Sequence, residues 1–464
     1  MNPYLLIDFG STYTKMTAVD LDKAVILGTA RSLTTVSDGL VSGYWQARQE
    51  LRQKTGELKF KRQMACSSAA GGLKMIAIGL VPELTVEAAK RAALGAGARV
   101  IKTYSYRLTK VEIEEILKLA PDLILLVGGT DGGNREVILH NARMLKDSLL
   151  VAPVIIAGNK EVTPEIEDLF KLAGKISYST ANVLPSLNIL QVEPVRQTIR
   201  EIFLKRIIQA KGLDQIETLI DGIVMPTPSS VLQAATCLAD GSSQETGLGE
   251  LLLIDIGGAT TDVHSIAEGL PRQPQICLRG LPEPRIKRTV EGDLGLRVSA
   301  MGLVEAVSLN VIKKMTGFSE EAINNAIILR AKHPDYLPQN EEEWKIEETL
   351  SFLAIKQAAI RHAGHLEQQY TPDGKIFIQV GKDLADINNI IGTGGVLTQS
   401  VNCPRMMEGV FRDSDTPDSL LPVTANLWFD RDYTITTLGL LVGGFPEIAF
   451  RLLKKSLVKI IRTN

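Results

Sequence analysis

Two segments of the chain carry the same run of chemically useful residues. Asp8-Phe9-Gly10-Ser11-Thr12 closes the apolar run from Tyr4, and Asp255-Ile256-Gly257-Gly258-Ala259-Thr260-Thr261-Asp262 closes the run from Leu251. In each, a carboxylate ends a strand, a glycine permits an unusual turn, and small hydroxylated residues follow. Consecutive backbone N–H groups in such turns cradle anions. A carboxylate beside them holds Mg²⁺ largely through water, because this ion dehydrates reluctantly. Two such loops closing on one triphosphate supply both a phosphate clamp and a metal site. Either loop alone reads as an ordinary Gly-rich hairpin. The echo between LLIDFGSTYTK at 5–15 and LLIDIGGATTD at 252–262 argues instead for two related lobes with equivalent loops facing each other.

A third element is Ile390-Ile391-Gly392-Thr393-Gly394-Gly395-Val396-Leu397, a strand entering a turn where backbone can approach a flat base or ribose. Gly128-Gly129-Thr130-Asp131-Gly132-Gly133-Asn134 also follows an apolar run; it reads first as a packed strand-to-helix turn and second as an anion site. His362 and His365, with Glu367 nearby, have metal-like spacing but no third ligand, so a solvated helix face is expected. His140 and His264 read as hydrogen-bonded structural histidines, and Cys66, with no base near it, as a small buried residue.

These residues need a scaffold. The chain has 464 residues, 45% hydrophobic and 22% charged, enough for two or three domains or one large bilobal fold. A net charge of −2 and 5% aromatics give no footprint for nucleic acid. The four cysteines are widely spaced, which argues for a reducing compartment and against a zinc cluster or disulfide framework. MNPYLLIDFG reads as a strand, not a signal peptide, and no apolar run approaches the ~20 residues that span a bilayer. A soluble cytoplasmic protein without membrane contact is expected.

Apolar runs alternate with amphipathic segments, the pattern of α/β layers. Helices are expected at 43–55, 85–94, 194–210 and 227–240, and strands in hairpins at 4–20 and 251–266. Residues 99–180 alternate strand and helix like a small parallel sheet. Gly241–Gly249 is polar and is the expected flexible lobe boundary. The stretch 302–370 is mostly helical, and 437–463 reads as one helix or two, with Lys and Arg alternating with Leu and Ile.

The order of an Asp–Gly hairpin, a second Asp–Gly hairpin and GTGG resembles the actin-like ATPase superfamily: actin, heat-shock chaperone ATPases, sugar kinases and acetate kinases. Met225-Pro226-Thr227-Pro228 with the helix to Gly241 resembles its first interlobe helix, and Leu438–Gly443 its second. The resemblance narrows at Cys66–Leu73, Ala77–Thr85, the GGTDGGN loop with Glu136–Ala142, Ala157–Lys160 and Val290–Gly295. These segments are similar to the MutL-type accessory proteins of glutamate (methylaspartate) mutase, relatives of the reactivating chaperones of diol dehydratase.

The resemblance implies a two-lobe actin-like (ribonuclease H-like) α/β ATPase fold. Its first lobe covers 1–240 with an inserted α/β unit near 80–180, its second 245–436, and 437–464 is a helix returning to the first lobe. It implies ATP and Mg²⁺ as cofactors and subunits of an adenosylcobalamin-dependent mutase as partners. Asp8, Asp255 and Asp262 are the implied catalytic residues, with Asp8 and Asp255 at the metal. Gly10, Ser11, Thr12, Lys15, Gly257, Gly258, Ala259, Thr260, Thr261, Gly392, Gly394 and Gly395 are the implied nucleotide contacts. The implied function is ATP-dependent reactivation of the mutase by exchange of damaged cobalamin; the alternative is a small-molecule kinase of the same fold. An iron–sulfur activator would need a second cysteine near Cys237, and a filament-forming protein would pellet with ATP. Met225 departs from the heat-shock ATPases, which carry a Glu at that point, so hydrolysis is expected to be slow or organised by another residue.

Overall fold

A computed structural model describes residues 2–10, 12–34, 40–68, 73–96, 98–187, 189–209, 219–372 and 374–460. The chain divides into two compact units. Unit 1 comprises Met1–Ala69, Ala210–Arg279 and Glu283–Asn464; unit 2 comprises Ala70–Gln209 with Gly280–Pro282.

Unit 1 opens with β1 (Pro3–Phe9), β2 (Tyr13–Asp20), β3 (Val25–Leu33), α1 (Leu40–Thr55) and β4 (Arg62–Ser67). The chain then forms unit 2: β5 (Lys74–Gly79), a π-helical turn at Pro82–Val86, α2 (Glu87–Gly95), β6 (Arg99–Ser105), α3 (Lys110–Leu119), β7 (Leu123–Leu126), α4 (Glu136–Lys146), β8 (Val154–Ile156), α5 (Thr163–Leu172), β9 (Ser177–Ser179) and α6 (Glu193–Gln209). Its sheet is parallel throughout, in the order β6-β5-β7-β8-β9. β7, Leu-Ile-Leu-Leu, is wholly buried, as a strand covered on both faces must be. Thr109 and Glu112 form a reciprocal capping box that starts α3.

Back in unit 1, β10 (Ile223–Pro226) leads into α7 (Thr227–Asp240). A second sheet region follows: β11 (Leu251–Ile256), β12 (Thr261–Ile266), β13 (Ile276–Arg279) and β14 (Ile286–Glu291). Helices α8 (Ala300–Val307), α9 (Leu309–Thr316), α10 (Glu320–Lys332) and α11 (Glu341–His362) come next. Three acids in the first turn and an Asn340 side-chain cap start α11. The unit ends with β15 (His365–Thr371), β16 (Gly374–Val380), β17 (Asn389–Thr393), α12 (Gly395–Gln399), α13 (Cys403–Met407), β18 (Asn426–Asp430), α14 (Ile435–Leu438), α15 (Pro446–Ser456) and β19 (Leu457–Ile460).

The two large sheets of unit 1 share one plan. The first runs β10-β4-β1-β2-β3, the second β14-β12-β11-β17-β18-β19. In both, the hairpin strand that carries the Asp lies centrally, antiparallel to its hairpin partner and parallel to the strand on its other side. Helices α7, α14 and α15 share one apolar core with Tyr4 and Leu6 of the first sheet and Leu251, Leu253, Ile266 and Ile391 of the second. Hydrogen bonds tie α14 to α7 and to β2: Ser230 Oγ of α7 donates to Thr436 O at 2.6 Å, and the hydroxyls of Thr17 on β2 and Thr437 lie 2.7 Å apart. Among the described residues no helix is long and apolar enough to cross a membrane.

Three local expectations change. The helix expected to reach residue 463 ends at Ser456, and Leu457–Ile460 pairs antiparallel with β18, so this segment also completes the second sheet; residues 461–464 lie outside the described residues. Gly241–Gly249 is not a loose linker. It folds back on α7 through Leu248 N to Leu238 O and Gly249 N to Ala239 O, at 2.8 and 3.0 Å. The helical stretch stops at His362, and His365 and Glu367 stand on β15.

Candidate functional site

Asp8 faces Lys15 directly across the β1–β2 hairpin, and Lys15 Nζ donates to Asp8 Oδ2 at 2.9 Å. The other oxygen, Oδ1, accepts from Thr227 Oγ1 at 2.7 Å, at the first residue of α7, and from Cys66 Sγ at 3.5 Å. Asp8 is fully buried. Burial works against the Lys15 charge, yet Asp8, Tyr433 and Asp255 together hold its pKa above the usual lysine range. Lys15 Nζ also lies 3.7 Å from the centre of the Tyr433 ring. Burial, reinforced by Asp8, pushes the Cys66 thiol far up, which agrees with an inert small residue. The turn needs Gly10: its N–H bonds Tyr13 O at 3.1 Å, and a Cβ there would meet that oxygen at 2.7 Å. Ser11 lies outside the described residues.

The second hairpin faces the first. A Cβ on Gly258 would lie 3.3 Å from Thr12 Oγ1, so the two turns are in near contact. The second turn is braced from behind: Leu296 N and Arg297 N donate to the carbonyls of Gly257 and Gly258, and Ser299 Oγ to that of Ala259. Gly257 N closes the turn on Thr260 O at 2.9 Å. Thr261 points the other way, its buried hydroxyl bonded to Leu294 O at 2.7 Å, so it braces the turn and does not face the first hairpin.

Asp255 and Asp262 are directly opposed across β11–β12. Asp255 is half-buried, and loss of hydration pushes its carboxyl up to about 7, with Asp262, Asp8 and Asp430 adding to the rise against the pull of Lys15. Asp262 is paired with Arg288, whose Nη2 and Nε lie 2.7 and 3.2 Å from Oδ2.

The glycines of the third loop divide into two kinds. A Cβ on Gly392 would meet Leu397, Met407 and Phe429 at 2.9–3.2 Å, and one on Gly394, whose φ is +128°, would meet Ile256 O at 2.3 Å. Both are required by packing. A Cβ on Gly395 would meet nothing within 4 Å, so Gly395 alone offers an open approach. Thr393 Oγ1 donates to Asp430 Oδ2 at 2.9 Å, and Asp430 caps α14 through the N–H groups of Thr434 and Ile435. Burial raises the Asp430 pKa against these bonds.

The donor set suits Mg²⁺ unevenly. Both Asp8 oxygens are engaged inside the protein, whereas Asp255 is a half-exposed carboxylate whose raised pKa marks a place where added positive charge is favourable. Among the described residues no group of three or more His, Cys, Asp or Glu side chains could hold a metal ion. The histidines lie apart from this chemistry. His362 is not on a solvated face: it is fully buried, with Thr289 Oγ1 at Nδ1 and Ser265 Oγ at Nε2, both 2.8 Å. His140 Nε2 lies 3.0 Å from Leu108 O.

Sequence reasoning missed Thr227 as an Asp8 partner, and Arg288, Asp430 and Tyr433 altogether. Only Asp430-Arg431-Asp432-Tyr433, a charged run between strand and helix, offered a signal. Met225 is buried in the core shared by the two sheets.

Two sheets of one strand order, a carboxylate-bearing hairpin in each, and paired helices packed between them define a two-lobe actin-like ATPase fold. Within that class the chain belongs to the MutL family. The family described as "MutL protein" matches residues 4–457. Protein MutL of Clostridium tetanomorphum is 48% identical over 462 residues, covering 99% of this chain and all of that one. Solved structures similar to it include nucleotide-free acetone carboxylase (TM-score 0.39, 13% identity, 95% of this chain and 70% of that one). Glycerol dehydratase reactivase follows (0.36, 11%, 95% and 99%), as does component A of (R)-2-hydroxyglutaryl-CoA dehydratase from Acidaminococcus fermentans (0.33, 11%, 98% and 99%).

Proposed function

We propose that the chain is an ATP-dependent reactivating chaperone for an adenosylcobalamin-dependent mutase such as glutamate mutase, exchanging damaged cobalamin for fresh cofactor in the cytoplasm. The observation that carries this reading is the approach of the two hairpin turns at Thr12 and Gly258, with Lys15 and Asp255 beside them. In it, the backbone N–H groups of both turns and the Lys15 ammonium receive the phosphates, and Gly395 leaves room for the adenosine. Asp255 would hold Mg²⁺ through water, and the bound ion would neutralise charge on the terminal phosphates.

Thr227 links this chemistry to motion. Its hydroxyl ties the start of α7 to Asp8, so any shift of Asp8 and Lys15 toward a phosphate is felt at the helix that packs between the sheets. A nucleotide that binds one arrangement of the lobes better than another shifts their populations, and with them the affinity for the partner enzyme. No covalent protein intermediate is required.

The test uses a mutase inactivated during turnover. Activity should return only with this protein, ATP, Mg²⁺ and fresh adenosylcobalamin together. Equal recovery without ATP would overturn the reading, and rapid phosphorylation of a small hydroxylated metabolite would favour a kinase.

A further inference from the structure

The second hairpin turn is backed by Arg297. Its N–H bonds Gly258 O at 2.8 Å, and a Cβ placed on Gly258 would lie 3.3 Å from Cβ and Cγ of Arg297 and 3.3 Å from Thr12 Oγ1. The stem of this arginine therefore stands where the two hairpin turns approach each other. Its guanidinium is turned aside toward Glu347 of α11, and only 9% of the residue is exposed. Glu347 is 1% exposed and serves a second cation, the fully buried Arg330 of α10.

The two arginines hold this carboxylate unequally. Arg330 Nε donates to Oε2 at 2.7 Å, and its Nη1 and Nη2 donate to the carbonyls of Ala326 and Glu343, both at 3.1 Å. Arg297 Nη1 lies 2.7 Å from Oε1, but it donates to Leu296 O at 2.9 Å, and Oε1 accepts no hydrogen bond among the described residues. Arg297 Nη2 donates to Tyr336 O at 3.1 Å. Arg330 thus grips Glu347 by an aligned bond, and Arg297 is kept beside it by charge. The half-buried Glu343 carboxylate is taken by the Tyr336 hydroxyl and Gln339 N. Two buried cations against one buried carboxylate leave a positive charge over, and buried charge is tolerated when it is paired. An anion at the turns supplies the missing partner.

We propose that Arg297 is a catalytic arginine held in reserve: it leaves Glu347 for the γ-phosphate when ATP enters between the turns, and Arg330 keeps the carboxylate paired in its absence. The inference deepens the ATPase reading above and rests on it. Rotation about the side-chain bonds beyond Cγ carries the guanidinium, while the backbone bond to Gly258 stays in place. Its planar fork then donates two hydrogen bonds to non-bridging oxygens of the γ-phosphate. The water oxygen forms a bond to the γ-phosphorus as the bond from that phosphorus to its bridging oxygen breaks. The electron pair leaves with ADP, and the water proton ends on the released phosphate. Arg297 exchanges no proton; it stabilises the charge on the group in transfer.

The test compares Arg297→Met and Arg297→Lys with wild type. Turnover is followed by phosphate release, affinity by calorimetry with ADP and with a non-hydrolysable ATP analogue, and folding by thermal unfolding. Arg297→Met should fold, because Arg330 retains Glu347. It should lose about 1,000-fold in kcat, the low end for an arginine on a transferring phosphoryl group. The analogue should bind about tenfold more weakly while ADP binds within about threefold of wild type. A residue that only braced the turn would weaken both nucleotides alike. Arg297→Lys, which keeps the charge but not the fork, should recover part of the loss. If Arg297→Met does not fold, Arg297→Lys decides, with a fall in kcat at unchanged ADP affinity expected and undiminished kcat overturning the inference. A folded Arg297→Met with wild-type kcat, or with both nucleotides weakened equally, overturns this inference alone. Wild type that binds neither nucleotide overturns the ATPase reading and this inference with it.

Discussion

Lys15, on the second strand of the first hairpin, seats its ammonium 3.7 Å from the centre of the Tyr433 ring, carried by the loop after β18. Tyr433 has φ +54°, a left-handed conformation uncommon for a bulky residue, so the surrounding structure enforces this placement. A desolvated cation–π contact contributes roughly 1–2 kcal/mol. Tyr433→Leu should therefore lower stability to urea by about that amount, with Tyr433→Phe close to wild type. An equal loss in both would show that the phenol oxygen, not the ring face, matters.

The two hairpin carboxylates should behave differently when neutralised. Asp8→Asn leaves the Lys15 ammonium without its charged partner in a buried setting, and breaking such a pair costs about 3–5 kcal/mol. Asp255→Asn removes a carboxylate that burial already disfavours, so it should unfold no earlier than wild type while losing Mg²⁺-dependent nucleotide binding. Thermal unfolding of the two purified variants separates these outcomes.

Asp255 also sets a pH dependence. Its folded pKa, near 7, lies above the unfolded value, so the native state holds more protons between roughly pH 4 and 7. Stability of the free protein should fall as pH rises through that window, and Asp255→Asn should flatten the slope. Nucleotide binding should run the other way. The carboxylate must ionise to hold the cation, so Mg²⁺-dependent ATP affinity should drop about tenfold per unit below pH 7. Calorimetry at pH 6, 7 and 8 checks both signs.

Gly394 and Gly395 make a paired test of the third loop. Gly394→Val forces a side chain onto Ile256 O in a conformation that favours glycine and should destabilise the fold. Gly395→Val meets no atom within 4 Å and should leave unfolding unchanged while weakening ATP binding. Normal ATP affinity in folded Gly395→Val would show that no nucleotide passes there.

The hairpins, α7 and the alternating strands of unit 2 were legible because local pattern determines them: a run of apolar residues, a small-residue turn, a proline at a helix start. The partners of the hairpin carboxylates were not. Thr227, Arg288, Asp430 and Tyr433 reach the site from elements far along the chain, and apart from the charged run at 430–433 nothing at their own positions announces it. The GTGG segment shows the opposite failing. Three glycines look alike as letters, yet two answer to neighbouring side chains and backbone and one faces open space. His362 was misread for a related reason, since its burial comes from Ser265 and Thr289, which sequence spacing cannot place beside it.

Strand β19 has a consequence for how the protein avoids its own copies. It covers the outer edge of β18, whose Leu427, Trp428 and Phe429 pair with Ile460, Lys459 and Val458. Uncovered, that apolar strand would present a row of open donors and acceptors, the template on which identical chains stack edge to edge. This short strand, with exposed Lys459 near its centre, is expected to oppose such stacking, and chains cut before Leu457 should sediment as concentration-dependent aggregates.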